Sequence, residues 1–254
     1  MDVGSSPAEQ EIRIDGEWYD HLGTLKDDAF AQTELVARDG RKYLYKTSRL
    51  RLIRGLRLRR LMKRLNNREV RTHRLLEGVQ GVPRLVKCVS ETSFLREFVD
   101  GRTLDRKPPY MRGDFFDEFL EIVRDIHARG VAFVDLAKKE NVVVTTEGRP
   151  FLIDFQVSIA RSTGRGPIAG IWNAVVRLMQ EADIYHVFKH KKRIRPDLLR
   201  PEERQYARRP WFQRIHKYCF RLPYHAIKRR IIPKHGDSRY PFYENEEAND
   251  RLIS

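Results

Sequence analysis

The sequence predicts an α+β chain of two lobes, the first built on strands with one helix, the second mainly helical. Three observations carry that reading. Residues 22–47 have β character around Asp39-Gly40, a strong tight-hairpin signal. Residues 114–129 form a broad apolar helical face through Phe115, Phe116, Phe119, Leu120, Ile122, Val123 and Ile126. Between them Asp100-Gly101 is a turn that divides the lobes. The expected organisation is a flexible polar tail over 1–16, the small lobe over 17–99, and the large lobe with a basic helical extension over 100–254.

In order along the chain, short strands are expected at 31–36 and 43–46. A segment dense in Arg and Leu occupies 49–65. Asn66-Asn67 is expected to cap a helix from Arg68 to about Glu77, stopped by Gly78 and Gly81-Val82-Pro83. Two more strands are expected at 85–89 and 93–99. Gly130 ends the helix at 114–129, and β-type runs come next at 131–134, 142–145 and 151–153. A further helix is expected over 171–182. Beyond Phe188 the chain is basic, with Pro196, Pro201, Pro210, Pro223 and Pro233 punctuating short helices, before an acidic end at 244–250.

The 254 residues carry a formal charge of +15 and are 41% hydrophobic, enough for a core in each lobe. Such a basic surface suits nucleic acid, an anionic membrane or an anionic substrate, and charge alone does not choose. Cys88 and Cys219 lie far apart, which argues against a disulfide framework and for a reducing compartment. Met1 to Pro7 lack the basic and apolar regions of a secretory signal. No apolar run reaches the roughly 18–20 residues that span a bilayer. The expectation is a soluble cytoplasmic protein that can lie peripherally on the inner membrane.

The chemistry concentrates in Asp135-Leu136-Ala137-Lys138-Lys139-Glu140-Asn141 and Leu152-Ile153-Asp154-Phe155-Gln156. Phosphoryl transfer needs a carboxylate near an attacking hydroxyl, an Asn with a second carboxylate for Mg²⁺, and cations for phosphate charge. The order of these parts resembles the protein kinase-like superfamily. Asp135 and Asn141 are similar to its catalytic loop, and Asp154-Phe155-Gln156 to its metal-binding triplet with Gln for Gly. Lys46 is similar to its phosphate-binding strand lysine and Glu69 to the helix glutamate that pairs with it. The resemblance covers residues 22–160.

This resemblance implies ATP and Mg²⁺ as cofactors. Asp135 would orient the acceptor hydroxyl and take its proton, and Lys138 or Lys139 would neutralise the γ-phosphoryl charge. Asn141 and Asp154 would hold the metal, with Glu140 the alternative to Asn141 because the loop is one residue long. Lys46, held by Glu69, would fix the nucleotide phosphates. The adenine would meet the backbone around Glu97 to Val99.

The departures are informative. Phe133-Val134 precede Asp135, so no Arg there can pair with a phosphorylated loop. The stretch Gly23 to Phe30 lacks a three-glycine pattern; Lys26 is the phosphate-binding candidate there, while Asp27 and Asp28 would repel phosphate. After Gln156 there is no long activation segment. Arg161 and Arg165, which could hold an anionic group or lie in a solvated turn, lead quickly to a helix. That compactness resembles bacterial kinases of lipopolysaccharide core sugars, and also RIO-like kinases. The expected acceptor is an anionic sugar or glycolipid. The alternatives are a Ser/Thr protein kinase of RIO-like type and a non-enzymatic basic binding module.

Residues 49–65 hold eight Lys and Arg and no acid. The segment can be a solvated connector, a surface for anionic lipid, or a grip on RNA or the ribosome; the scarcity of aromatics ranks nucleic acid last. His186 and His190 have i, i+4 spacing but no accompanying Glu or Cys, so no metal is expected there. His127 is expected near the catalytic loop.

Overall fold

The computed structural model describes residues 10–27, 31–48, 56–106 and 109–208. The chain divides into two compact units. The described residues up to Val70, with Pro83–Phe98, form the first; Arg71–Val82 and the residues from Val99 onward form the second.

The first unit is a six-stranded antiparallel sheet. Its strands are β1 (Gln10–Ile14), β2 (Glu17–Asp27), β3 (Ala31–Arg38), β4 (Arg41–Ser48), β5 (Leu85–Ser90) and β6 (Ser93–Glu97), in spatial order β1-β2-β3-β4-β6-β5. The strand β1 corrects the expectation of a loose tail to residue 16. Ile12 and Ile14 alternate with charged residues, and Asp15-Gly16, at φ of 50° and 87°, closes a tight hairpin onto β2. Asp39-Gly40 repeats that turn between β3 and β4, with φ of 52° and 71°. Successive residues Leu35 and Val36 point to opposite faces, so the sheet buries both. Leu35 packs with Leu25 and Leu44, and Val36 with Ile14, Tyr19 and Leu95.

The helix α1 (Leu56–Leu75) is longer than expected and starts inside the basic segment. It runs straight through Asn66-Asn67, which cap nothing. Asn66 is fully buried and its amide nitrogen donates to the Glu91 carbonyl at 3.2 Å, which directs the side chain away from its own helix backbone. Residues 49–55, and the side chains of Arg57, Leu58, Arg59 and Leu61, lie outside the described residues.

The second unit opens with β7 (Gly101–Thr103) and α2 (Phe115–Ala128), succeeded by β8 (Val131–Ala132), β9 (Val142–Thr145), β10 (Pro150–Leu152) and β11 (Ile159–Ala160). Small sheets form in the orders β10-β9-β7 and β11-β8. The apolar face of α2 packs on Val131, Phe133, Leu136, Val142, Leu152 and Phe155. Residues 71–82, expected in the small lobe, group here instead, because Leu76 and Val79 join this core. Arg129 also donates to the Leu75 and Glu77 carbonyls, closing the end of α1.

The long helix α3 (Pro167–Ile194) extends well beyond the expected 171–182. Its ends obey proline. Pro167 sits in the first turn, where its missing N–H costs nothing, and Pro196, two residues past Ile194, cannot continue the helix. Short 3₁₀ turns at Pro196–Leu198 and Pro201–Gln205 complete the described chain. Buried Lys191 ties them down, with Asp117 at 3.1 Å and Glu203 at 2.9 Å. The expected elements at Pro210, Pro223 and Pro233 and the acidic end at 244–250 lie outside the described residues, as does Cys219.

Gly101 occupies a position that only glycine fits. Its φ is +151°, and an added Cβ would stand 2.2 Å from the Val144 carbonyl oxygen and 2.8 Å from the Thr145 Cα. Both are backbone atoms of the paired strand. Gly101→Ala is therefore expected to lower the urea unfolding midpoint, with strain alone costing on the order of 1–3 kcal/mol.

Candidate active site

The sequence-predicted residues fall into two sets, one in each unit. In the sheet unit, Lys46 Nζ lies 2.8 and 2.9 Å from the two carboxylate oxygens of Glu69. Both side chains are largely buried, at 12% and 2% exposure, so the pair is screened little by solvent. Glu69 reaches that place because Met62, Asn66, Glu69 and Val70 form the buried face of α1 at helical spacing.

Lys26 lies on β2 opposite Thr33, beside a bulge in the β2–β3 ladder. Asp27 is exposed opposite Gln32, while Asp28, Ala29 and Phe30 lie outside the described residues. Glu97 is engaged within the sheet unit. Its N–H donates to the Arg84 carbonyl at 2.9 Å, its carboxylate accepts Arg84 Nε at 2.9 Å, and its carbonyl accepts from Arg96 at 3.1 Å. Val99 belongs to the second unit, packed on Val143 and Ile153.

In the second unit the loop from Asp135 to Asn141 is folded on itself. Lys138 Nζ donates to Asp135 Oδ2 at 2.5 Å. The Asn141 amide nitrogen donates to the Asp135 carbonyl at 3.1 Å, which leaves its oxygen as the atom able to ligate. The Ile153 N–H donates to the Asn141 carbonyl at 2.9 Å, setting Asn141 beside the residue that precedes Asp154. Asn141 is buried and Glu140 exposed, so the extra loop residue is absorbed by a 3₁₀ turn at Lys139–Asn141.

The charges here interact. Desolvation, the largest single effect on Lys138, pulls its pKa down. The Asp135 hydrogen bond and the Asp135, Asp154 and Glu140 charges more than reverse it, leaving the ammonium raised and charged at neutral pH. Of the two candidate lysines, Lys138 contacts Asp135, whereas the charge of Lys139 acts on His190.

Two residues at the site adopt unusual backbone conformations. Val134 has φ 74° and Asp154 has φ 69°. A β-branched residue there persists only where its surroundings over-determine it. Those surroundings are supplied by Asp183, a residue sequence reasoning missed. Its carboxylate, fully buried, accepts the Phe133 N–H at 2.7 Å and the Val134 N–H at 2.9 Å, and contacts His127 Nε2 at 3.2 Å. Burial pushes its pKa up, against the lowering effects of His127 and the two amides.

Gln180 and His190, on the same helix, were likewise missed in this role. Gln180 donates to the His127 and Val131 carbonyls at 3.2 and 3.0 Å. The His190 Nε2–H donates to the Leu136 carbonyl at 2.8 Å, so this histidine holds the loop. The available signal was a carboxylate at 183 between Ala182 and Ile184, in a helix whose apolar run gave it no partner of its own. Phe133 and His73 both meet Phe155 edge-on, at 5.1 Å between ring centres, fixing the residue after Asp154.

Asn141 and Asp154 offer hard oxygen donors of the type Mg²⁺ takes. That ion needs only one or two protein carboxylates when phosphates complete its shell, so the residues fit it. Among the described residues no cluster of three or more His, Cys, Asp or Glu forms a metal cage of its own.

Comparison with solved structures agrees with this architecture. The Rio2 kinase from Chaetomium thermophilum superposes with a TM-score of 0.50 at 15% identity, covering 68% of this chain and 57% of that one. The BubR1 kinase domain gives a TM-score of 0.51 at 16% identity, covering 76% and 66%. The chain thus spans less than two thirds of either. It has an α+β, two-lobed protein kinase-like fold. No protein-family model matches the sequence, and none of the curated proteins compared with it does.

The supports of the loop lead to two expected outcomes. Asp183→Ala orphans two amides, one buried and one part-buried, each worth about 1–3 kcal/mol, so urea unfolding should show a loss of about 3 kcal/mol. Asp183→Asn keeps one acceptor oxygen and should lose less.

His190 titrates near 6.5 in an unfolded chain, but burial first, then Lys189, Lys139 and Arg193, lower it to about 4 against the pull of the Leu136 carbonyl. The unfolded state therefore gains a proton first as pH falls. Stability present above pH ~6.5 should drop by on the order of 3 kcal/mol by pH ~4, and His190→Gln should flatten that part of the profile.

Proposed function

We propose that this protein is an ATP-dependent phosphotransferase acting on a hydroxyl group. The observation that carries the reading is the Asp135 loop. Asp135 follows a backbone strained at Val134, whose N–H is held by Asp183; an ammonium sits on one of its carboxylate oxygens, and Asn141 is tied through its backbone to Ile153, the residue before Asp154. Strain retained at a carboxylate is the mark of a positioned reactive group. The kinase-like fold supports the same class.

Asp135 orients the acceptor hydroxyl and takes its proton. Lys138, kept charged by its acidic neighbours, can pass from Asp135 to phosphoryl oxygens as negative charge moves there. Asn141 and Asp154 would hold Mg²⁺, which when bound offsets the phosphate charge. Lys46, fixed by Glu69, would meet the nucleotide phosphates, with Lys26 a further cation. Because Glu97 is engaged with Arg84 and Arg96, the Val99 backbone is the better partner for the base. Among the described residues no hydrogen bond engages it.

For the acceptor we favour a sugar hydroxyl of a lipopolysaccharide-type glycolipid. The link from Asp154 to α3 is short, residues 155–166, and within it Ser162 is tied down by Asn173, which accepts its N–H at 2.8 Å and donates to its carbonyl at 3.3 Å. That leaves little chain to form a platform for an extended peptide. The exposed Arg161 and Arg165 lie in this link, where an anionic sugar substituent would find them. The likeness to Rio2 kinase favours a second reading, a protein hydroxyl.

The test is transfer of the γ-phosphoryl from radiolabelled ATP to core-type glycolipid and to a protein mixture, assayed separately. Asp135→Asn and Asp154→Asn should each reduce transfer at least about 100-fold while urea midpoints change little. Wild-type turnover by either variant would remove that residue from the mechanism. Transfer to protein and not to glycolipid would select the second reading.

A further inference from the structure

The first turns of α3 carry a feature the catalytic reading leaves unused. Ile168, Ile171, Trp172 and Val175 recur at i, i+3, i+4 and i+7 and so share one face. They are 84%, 68%, 41% and 37% exposed. Farther along the helix Val176, Ala182, Val187 and Phe188 are buried as apolar residues usually are. Single exposed apolar residues are ordinary, but four on two turns form a patch that marks a contact surface.

The patch is firmly held. Trp172 Nε1–H donates to the Ala160 carbonyl at 2.9 Å, satisfying its one polar group and fixing the ring. Asn173 clamps Ser162 on the same turns.

We propose that this stripe is a docking surface for an anionic lipid bilayer. Charge selects that occupant. No Asp or Glu occurs from residue 155 to residue 180, while Arg161, Arg165 and Arg177 are exposed. The stripe also begins at a helix N-terminus, whose partial charge is positive. A second copy of the chain would bring these like charges together. A stable protein partner would need roughly 20–30 residues a side, far more than this stripe supplies. A bilayer needs less: Ile side chains entering the acyl boundary, a Trp at headgroup level, and cations over anionic headgroups. No helix among the described residues is long and apolar enough to cross a membrane, so the contact is interfacial.

The purpose of the surface, though not its geometry, rests on the glycolipid reading. Ala160 and Ser162, which α3 grips through Trp172 and Asn173, stand only six and eight residues after Asp154. A lipid-borne acceptor would thus be met where the site is.

The test is co-sedimentation of the full chain with vesicles of phosphatidylcholine, alone or mixed with phosphatidylglycerol. Wild type should bind the mixed vesicles and release them at high salt. The double variant Ile168→Ser/Ile171→Ser should bind at least about tenfold more weakly. Its thermal midpoint and its transfer to a water-soluble sugar fragment should be unchanged, because both side chains are more than two-thirds exposed. Equal binding by the double variant, or no vesicle binding by wild type, overturns the proposal. So does a wild-type dimer that the double variant converts to monomer. Vesicle binding lost in the variant, with no glycolipid transfer by wild type, would keep the surface and discard the glycolipid acceptor.

Discussion

The buried carboxylate of Asp183 is the constraint on which the candidate site depends. Removing a carboxylate from water is costly, and its raised pKa records that cost. Two amides and an imidazole offset it, and they belong to the segment that must be held still. The neighbouring turns of the helix extend the same function. Gln180 holds the Val131 carbonyl, Asp183 the Phe133 and Val134 amides, and His190 the Leu136 carbonyl. One helix face thus reads residues 131–136 nearly in sequence, as a template reads a strand. Asp135 itself needs no contact with the helix, because the residues on both sides of it are fixed.

The Lys46–Glu69 pair obeys a different logic. Both groups are largely buried, and they meet at 2.8 Å. Removing one partner of a buried ion pair is commonly more costly than replacing the pair by apolar groups. The pair is therefore weak evidence about stability and better evidence about function. A buried ammonium with a single geometry is a cation already oriented for an anion, at the cost of desolvation met during folding.

Local chemistry made much of this legible. Asp39-Gly40 announced its hairpin and the α2 phenylalanines announced their face, while the acids, amide and lysines of the loop stood out by type and spacing. Other features required tertiary information. Asn66 looks like a cap because its side chain can serve one, and only the Glu91 carbonyl reveals why it does not. The β1 strand was missed although Asp15-Gly16 carries the same hairpin signal as Asp39-Gly40; a polar segment with two isoleucines has too little to pair with until β2 is present. Asp183 and His190 were hidden because their partners are backbone groups some 50 residues away, which leave no mark in side-chain spacing.

The helix α3 also shows why periodicity misleads here. Its first turns expose large apolar residues, and its later turns bury Gln, Asp, His and Lys alongside Val176, Ala182, Val187 and Phe188, in part the reverse of the rule for a surface helix. No single face is apolar throughout, so a search for one finds only the short run at 171–182. The inversion has a mechanical consequence. Ile171 and Asp183 lie on one unbroken helix, about 18 Å apart at 1.5 Å per residue. The helix thus joins the turns that expose Ile168 and Ile171 to the turns that hold residues 131–136.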